Sequence, residues 1–483
     1  MHLGVLKGFF KDTAIYGLAT VVPRLMTFIL APLQIGALST ASYSENTTFY
    51  IWAAFFNVIL TFGMETAFFR YFSRAKNKQD VFSTSFISLT VSTVLFFLLV
   101  MLFQDQVIRI VDLPPEFFFI LLGVLIFDNL VVIPFAYLRA INRPIKFTSI
   151  KVLNVLILTI INVIYLKLIP DYPQLFPDVI LSTFDEDNLV QYIFWANLVA
   201  SGITFLILLP YFFRTNLVFK WNIFKSLWRY GWPVMIAGVA YVINEMFDKL
   251  VLKELISDEI MGAYAGVYKL AIFMAIYIQA FRLGAEPFFF NQYNKENARL
   301  IYADILKYFV MAGSAILLIL VVFLDFLKLI IVPNEEYWIT IAIVPVILLA
   351  NLCLGIYHNL SIWYKLTDKT KVGMYISLVG ALMTIVLNLV LVPQYGFMAS
   401  AWTTLAAYGS MMLLSFYLGQ KYFPIPYDLK RIGGYLLLST GFSAVSFLLF
   451  RNNYYIGIIL ILIFFALVLL SEKDQLKLLF KKY

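Results

Sequence analysis

The chain has 483 residues, of which 62% are hydrophobic, 18% aromatic and only 13% charged, and its mean hydropathy is +0.87. Soluble globular domains are typically about 45–50% apolar and about 25% charged. This composition excludes a water-soluble enzyme, a disordered protein and a nucleic-acid-binding protein. The net charge of +8 becomes informative only once the charges are placed along the chain.

The sequence predicts an all-α polytopic membrane protein with about 14 transmembrane helices, because a bilayer core requires roughly 20 apolar residues per helix. In the first window, Pro23 and Arg24 interrupt the apolar stretch, which indicates a retained span rather than a signal peptide. No connection is long enough to form a soluble domain. The predicted windows are 13–36, 48–70, 82–103, 117–138, 149–169, 189–212, 230–252, 265–290, 303–326, 338–362, 372–392, 397–419, 432–450 and 454–470.

Basic residues are concentrated on alternate connections between these windows. The N-terminus, the even-numbered loops and the C-terminus carry most of the 36 Lys and Arg residues, whereas the opposite loops are acidic, most clearly at 171–187. Loops retained in the cytoplasm are enriched in Lys and Arg. We therefore expect both termini in the cytoplasm and an even number of spans, 14 or, with altered ends, 12.

An internal repeat divides the chain. GAEPFFFNQY at 284–293 repeats GMETAFFRYF at 63–72, and the Tyr-Gly pair at 230–231 repeats the pair at 16–17. Further pairs follow in the same order, namely Arg139 with Lys365, Arg143 with Lys369 and Asn162 with Asn388. The order predicts two six-helix lobes related by a pseudo-two-fold axis along the membrane normal.

The predicted domains follow from this repeat. Residues 1–212 form an N-terminal lobe and 230–419 a C-terminal lobe, while 420–483 add two helices and a basic cytoplasmic tail. Residues 213–229 combine Trp with basic residues, which is typical of an interfacial helix on the cytoplasmic surface.

Ionisable residues within the spans are the candidate functional positions. Each costs roughly 2.5–3.5 kcal/mol at a helix centre, so we expect them to face a central cavity between the lobes. Some have structural alternatives, since Arg282 could pair with Glu286, Glu245 with Lys249, and Lys269 could extend to the outer surface. The residues are Arg24, Glu65, Asp128, Glu245, Asp248, Lys269, Arg282 and Glu286.

Two kinds of polar neighbour accompany these charges. Asn162, Asn351 and Asn388 are more typical of hydrogen bonds between membrane helices than of ligand contacts. Prolines at 23, 32, 233 and 287 are expected to break the helices that carry the charges.

The charges suggest a division of roles. Arg24, Lys269 and Arg282 are candidates for binding a phosphate or diphosphate, Arg through a bidentate fork and Lys as a point charge. The acids could bind a coupling proton or sodium ion or line the cavity, and they are Glu65, Asp128, Glu245, Asp248 and Glu286. Neither a metal site nor a cofactor is expected, since Cys353 is the one cysteine and His2 and His358 are the two histidines.

Several segments together resemble a known group, the polysaccharide-exporter and O-antigen flippase branch of the multidrug/oligosaccharidyl-lipid/polysaccharide flippase superfamily. They are YGLATVVPRLMTFILAPL at 16–33, GMETAFFRYFS at 63–73, PFAYLRAINRPIKF at 134–147, YKLAIFMAIYIQAFRLGAEPFFF at 268–290, LSIWYKLTDKT at 360–370 and LNLVLVPQYGFMASAWTTL at 387–405.

The resemblance implies alternating access and a polyprenyl-diphosphate-linked oligosaccharide as substrate, moved between leaflets of the bacterial inner membrane for lipopolysaccharide or other surface polysaccharide. It also implies that Arg24, Lys269 and Arg282 hold the anionic head group. The chain departs from many relatives at Gln34-Ile35, where a Tyr-Thr-Arg segment is common. The expected partners are the lipid-linked oligosaccharide, membrane lipids and a coupling H⁺ or Na⁺.

Two other functions stay open. A cation-coupled multidrug exporter of the same superfamily would bind organic cations in an acidic cavity, and the spans contain more acids than bases. A membrane sugar polymerase or ligase would require catalytic groups on a substantial outer loop, and the sequence has only short outer loops.

Overall fold

The computed structural model describes residues 26, 28–213, 218–292, 296–367 and 369–480, and these contain helices and no strand. The chain divides into two compact units, with the boundary between Val242 and Ile243. The predicted all-α fold class is therefore confirmed. The predicted domain limits at 212, 229 and 419 remain predictions.

The first unit contains eight principal helices and the beginning of a ninth. They are α1 (Phe28–Ala37), α2 (Thr40–Thr61), α3 (Met64–Phe72), α4 (Lys78–Leu102), α5 (Gln104–Val111), α6 (Pro115–Ala140), α7 (Pro144–Val163), α8 (Val190–Leu208) and α9 (Trp221–Leu255). Short helical segments lie at Ile164–Leu168, Ile169–Asp171, Pro173–Leu175, Asp178–Leu181 and Pro210–Phe213. Helix α6 packs against α2, α3, α4 and α8, and it therefore forms the centre of this unit.

The second unit begins within α9 and contains the remaining helices. They are α10 (Asp258–Tyr268), α11 (Ile272–Gln292), α12 (Ala298–Val322), α13 (Leu324–Ile331), α14 (Val344–Leu360), α15 (Ile362–Leu366), α16 (Thr370–Tyr395), α17 (Phe397–Tyr422), α18 (Leu429–Leu449) and α19 (Tyr454–Phe480). Two 3₁₀ segments, Lys269–Ala271 and Glu335–Ile343, join helices within longer spans. Helix α14 packs against α12 and α17, and α12 in turn holds α18 and α19.

Eleven helical stretches among the described residues are long and apolar enough to cross a bilayer. Helices α9 and α17, which coincide with the predicted windows 230–252 and 397–419, are not among the eleven. Most of the first window, 13–36, lies outside the described residues. The total of 14 spans therefore stays a prediction.

The second span is broken where the sequence predicts one helix. Phe62 and Gly63 both have left-handed backbone conformations, with φ of 35° and 70°, and they separate α2 from α3. By contrast, α1, α9 and α11 continue through Pro32, Pro233 and Pro287, so the expected breaks at these three prolines are wrong, and Pro23 lies outside the described residues. The break between α2 and α3 occurs at Gly63, because a glycine adopts positive φ without steric cost.

Gly63 also lies against the backbone of Gly231, where α9 passes the break. A Cβ atom on Gly63 would collide with the Gly231 carbonyl oxygen, and one on Gly231 would approach the Phe62 carbonyl. Both glycines belong to motifs that recur in the internal repeat. The repeat therefore marks a close helix contact as well as a periodicity.

We expect Gly63→Ala to destabilise the protein, because it combines a positive φ, worth about 1–3 kcal/mol of strain, with a backbone collision. Gly434→Ala in α18 is the matched control, since its Cβ would meet nothing within 4 Å. Thermal unfolding in detergent should show a lower midpoint for Gly63→Ala only. Equal midpoints for the two variants would contradict the assigned contact.

Candidate functional site

Glu65 and Arg139 form an ion pair at the end of two helices in the first unit. The break at Gly63 places Glu65 in the first turn of α3, and Arg139 lies in the last turn of α6. Arg139 Nη1 donates to Glu65 Oε1 at 3.1 Å, and its guanidinium lies 4.7 Å from the Phe69 ring centroid. Each charge is at the helix end whose dipole favours it.

Because both side chains are close to half-exposed, we expect this pair to contribute little to stability. Arg139→Gln should change the free energy of unfolding by less than about 1 kcal/mol. SDS titration of Arg139→Gln, Glu65→Gln and the double variant would measure the coupling. A coupling above about 3 kcal/mol would instead indicate a fully buried pair.

Lys151, in α7, interacts both with this ion pair and with Asp128 in α6. Lys151 interacts electrostatically with Asp128, Glu65 and Arg139, and its ammonium group lies 4.3 Å from the Phe135 ring centroid. The Asp128 carboxylate accepts a hydrogen bond from the Ser201 hydroxyl. Two of the predicted acids, Glu65 and Asp128, are thus brought into one charged cluster.

Lys151 is the member of this cluster that sequence reasoning missed. It lies inside the predicted window 149–169, close to the basic connection that precedes this window. Its position within that window was the signal that could have identified it. Neutral polar side chains of the first unit also form hydrogen bonds between helices. Asn197 donates to the Tyr50 hydroxyl at 2.6 Å, and Asn154 donates to the Thr204 hydroxyl at 3.0 Å.

A second cluster, in the second unit, contains Glu245 and Asp248. The Tyr408 hydroxyl donates to Glu245 Oε1 at 2.7 Å. Lys249 Nζ donates to Asp248 Oδ1 at 3.0 Å and to the Glu245 carbonyl at 2.9 Å, and it lies 4.2 Å from the Tyr268 ring centroid. The predicted partnership of Glu245 with Lys249 therefore involves the Glu245 carbonyl, while Asp248 provides the carboxylate.

Lys269 lies beside this cluster, in the 3₁₀ turn that joins α10 to α11. Its side chain is partly buried, and it interacts electrostatically with Lys249. The two ammonium groups, one on α9 and one between α10 and α11, therefore repel each other. An anion between them would offset their repulsion, because Coulomb interactions are stronger away from bulk water.

Asn162 and Asn388, which are partners in the repeat, make equivalent hydrogen bonds in the two units. Each side-chain amide donates to the carbonyl four residues earlier, Leu158 or Thr384, at 2.8 Å. Each side-chain oxygen also accepts a bond from a distant residue, at 3.0 Å from Gln34 for Asn162 and at 2.7 Å from Ser400 for Asn388. These contacts support the structural interpretation of both asparagines.

Arg282 lies apart from the Glu245–Asp248 cluster, further along α11. It interacts electrostatically with His358 and Tyr364, and Lys365 is a second cation near His358. This part of the second unit is therefore basic.

Two predicted site residues cannot be placed. Arg24 lies outside the described residues. Glu286 lies in α11, with its side chain outside the described part.

Metal binding is not indicated by the side chains in the described ranges. No group of three or more His, Cys, Asp and Glu residues there is arranged to hold a metal ion.

The fold and the family matches assign this chain to a class, the multi-pass membrane proteins of the multidrug/oligosaccharidyl-lipid/polysaccharide flippase superfamily. The family model "Polysaccharide biosynthesis protein" matches residues 9–285, and a second family model, MatE, matches 233–390. The chain therefore belongs to the polysaccharide biosynthesis protein family. The membership of this superfamily that the sequence predicts is confirmed.

Solved structures share the fold at low sequence identity. "Lipid II flippase MurJ, inward closed conformation" is 17% identical, with a TM-score of 0.74 over 96% of this chain and all of that one (100%). An inward-facing multidrug resistance MATE family transporter is 14% identical, with a TM-score of 0.66 over 88% of this chain and 95% of that one. These relatives are described as a flippase and a transporter rather than as enzymes. No curated protein sequence matched this chain.

Proposed function

We propose that this chain moves a polyprenyl-diphosphate-linked oligosaccharide from the cytoplasmic to the outer leaflet of the bacterial inner membrane by alternating access. The observation that carries the proposal is the match of the polysaccharide biosynthesis family model to residues 9–285. The proposed product would serve synthesis of a cell-surface polysaccharide such as the O-antigen of lipopolysaccharide. Both termini are proposed to lie in the cytoplasm, as the distribution of basic residues suggests.

The membrane-embedded cations give this proposal a physical basis. A diphosphate group requires charge-assisted hydrogen bonds once it leaves water. Lys269 is repelled by Lys249, and Arg282 and Lys365 both act as cations on His358, so an anion would be favoured at each place. Arg24 is the proposed third cation, from the resemblance of its segment to the family.

The acids are proposed to take part in ion coupling or to line the cavity. Asp248 already has the Lys249 ammonium as a partner, so a coupling ion there would compete with an internal cation. Asp128 has a hydroxyl as its hydrogen-bond donor and shares Lys151 with Glu65. Glu245 and Glu286 complete the proposed set.

Reconstitution would test the proposed transport. Vesicles containing the purified protein and a fluorescent polyprenyl-diphosphate oligosaccharide should show faster exposure of the label to an external quencher than empty vesicles. Arg24→Ala should insert normally but lose this activity, because it removes a cation that the sequence predicts to lie within the first span. Full activity of Arg24→Ala would remove Arg24 from the site, and no acceleration by the wild-type chain would contradict the function.

A multidrug exporter is the second candidate, favoured by the MatE match to residues 233–390 and by the acidic cluster in that region. Efflux of a cationic dye from the same vesicles distinguishes the two proposals. Dye transport without movement of the lipid-linked sugar would favour the exporter.

A further inference from the structure

A cavity of about 340 Å³ lies at the surface of the first unit, where two spans and α9 meet. It lies between the end of the span Thr40–Phe72 and the start of the span Lys78–Leu102, with the first turns of α9 as its third side. Such a position is at the level of the lipid headgroups whichever face of the membrane it occupies. Its charged and polar lining residues include Tyr71, Arg74, Lys76, Asp80 and Ser226.

The lining is positively charged. Arg74 and Lys76 are exposed, and among the described residues neither forms an ion pair. Asp80 is the acid of the lining, and the Lys220 ammonium neutralises it through an ion pair. The site therefore presents two uncompensated cations to an incoming ligand.

Hydrogen-bonding groups accompany the cations. Asn77 caps α4 by accepting from the Gln79 amide at 3.1 Å, so the electropositive end of a 25-residue helix borders the cavity. Asn222, Ser226 and Tyr71 add neutral polar side chains. Cations together with such donors match the oxygens of a phosphate group.

Exposed aromatic side chains mark the start of α9, the helix whose first turns form one side of the cavity. Trp221 is 65% exposed, Trp228 43% and Phe219 42%, and all three lie in or directly before the first turns of α9. Trp side chains are enriched at the membrane–water boundary, where their amphipathic rings lie among the headgroups. The start of α9 therefore lies at the membrane–water boundary, where lipid headgroups are the most abundant phosphate-bearing groups.

We infer that this cavity binds the phosphate-bearing headgroup of an anionic membrane phospholipid. The volume suits one small headgroup, since it is at the lower end of the range of small-molecule sites. The inference concerns a bulk lipid and does not depend on the transported substrate.

Native mass spectrometry of the full-length protein with phosphatidylglycerol would test the inference. Each basic residue near a membrane surface contributes about 1 kcal/mol, or roughly fivefold in affinity, so Arg74→Gln/Lys76→Gln should weaken binding about 25-fold. Ser226→Glu should also weaken it, because an acid would then face the phosphate. Phosphatidylcholine, which has no net charge, should bind less than phosphatidylglycerol to the wild-type protein.

The matched control is Lys371→Gln/Lys430→Gln, which removes two exposed lysines near the start of two other spans. It should bind phosphatidylglycerol as the wild type does. Equal losses in both double variants would indicate diffuse attraction and overturn the site. Unchanged binding by Arg74→Gln/Lys76→Gln, or equally strong competition by inorganic phosphate alone, would also overturn a lipid site.

Discussion

Lys249→Met is expected to lower the free energy of unfolding by about 3–5 kcal/mol, the usual cost of removing one partner of a buried ion pair. Lys249 is 7% exposed and Asp248 only 2%, so water cannot replace the lost ammonium group. The substitution also removes the contact of the ammonium with the Tyr268 ring. SDS titration followed by circular dichroism would measure the change.

The double variant Asp248→Asn/Lys249→Met separates charge from packing. It leaves neither buried charge, so most of the lost stability should return. If the double variant were as unstable as Lys249→Met alone, the effect would come from packing of the lysine side chain. Lys371→Met, at an exposed position, should leave the unfolding free energy unchanged within about 0.5 kcal/mol.

Lys269→Met is expected to reduce translocation of the lipid-linked oligosaccharide at least about tenfold, while insertion and thermal stability remain close to wild type. Removing the cation deletes a charge-assisted contact with the diphosphate, worth about 1.5–3 kcal/mol. Stability should be preserved because the substitution also relieves repulsion from Lys249. The vesicle assay with external quenching would measure the rate.

Lys269→Arg is the conservative variant and should retain a substantial part of the activity, since the charge remains. A folded Lys269→Met protein with full activity would remove Lys269 from the proposed head-group site. Loss of activity in Lys269→Arg as well would point to a steric requirement rather than to charge. The proposed function itself would survive either result, because the wild-type rate tests it separately.

Helix positions were the most predictable part of this protein. A long apolar stretch can satisfy its backbone in lipid only as a helix, so windows such as 117–138 and 303–326 coincide with α6 and α12. The break at Phe62–Gly63 was not predicted, because the sequence there is as apolar as an unbroken span. The break coincides with the close approach of Gly231, which is distant along the chain and therefore not visible in the local sequence.

The sequence could predict which charged residues belong to the candidate site but not which of them form pairs. An ionisable residue inside a membrane span is energetically costly, so the sequence alone identifies Glu65 and Asp128 as candidate functional residues. Their connection through Lys151, and the bond of Glu245 to Tyr408, depend on helices that the sequence does not place beside each other. Local spacing suggested a pair between Glu245 and Lys249, whereas the Lys249 ammonium bonds the adjacent Asp248 carboxylate.

The sequence by itself determined that this is a helical membrane protein with an internal repeat, since the bilayer imposes length and apolarity on each segment independently. The repeat even predicted the equivalence of Asn162 and Asn388, which make the same bond to the preceding turn. Only the tertiary structure decided which charges neutralise one another and which cations stay uncompensated. Electrostatic partnership depends on distances of a few ångströms between helices, and such distances arise only when the helices pack.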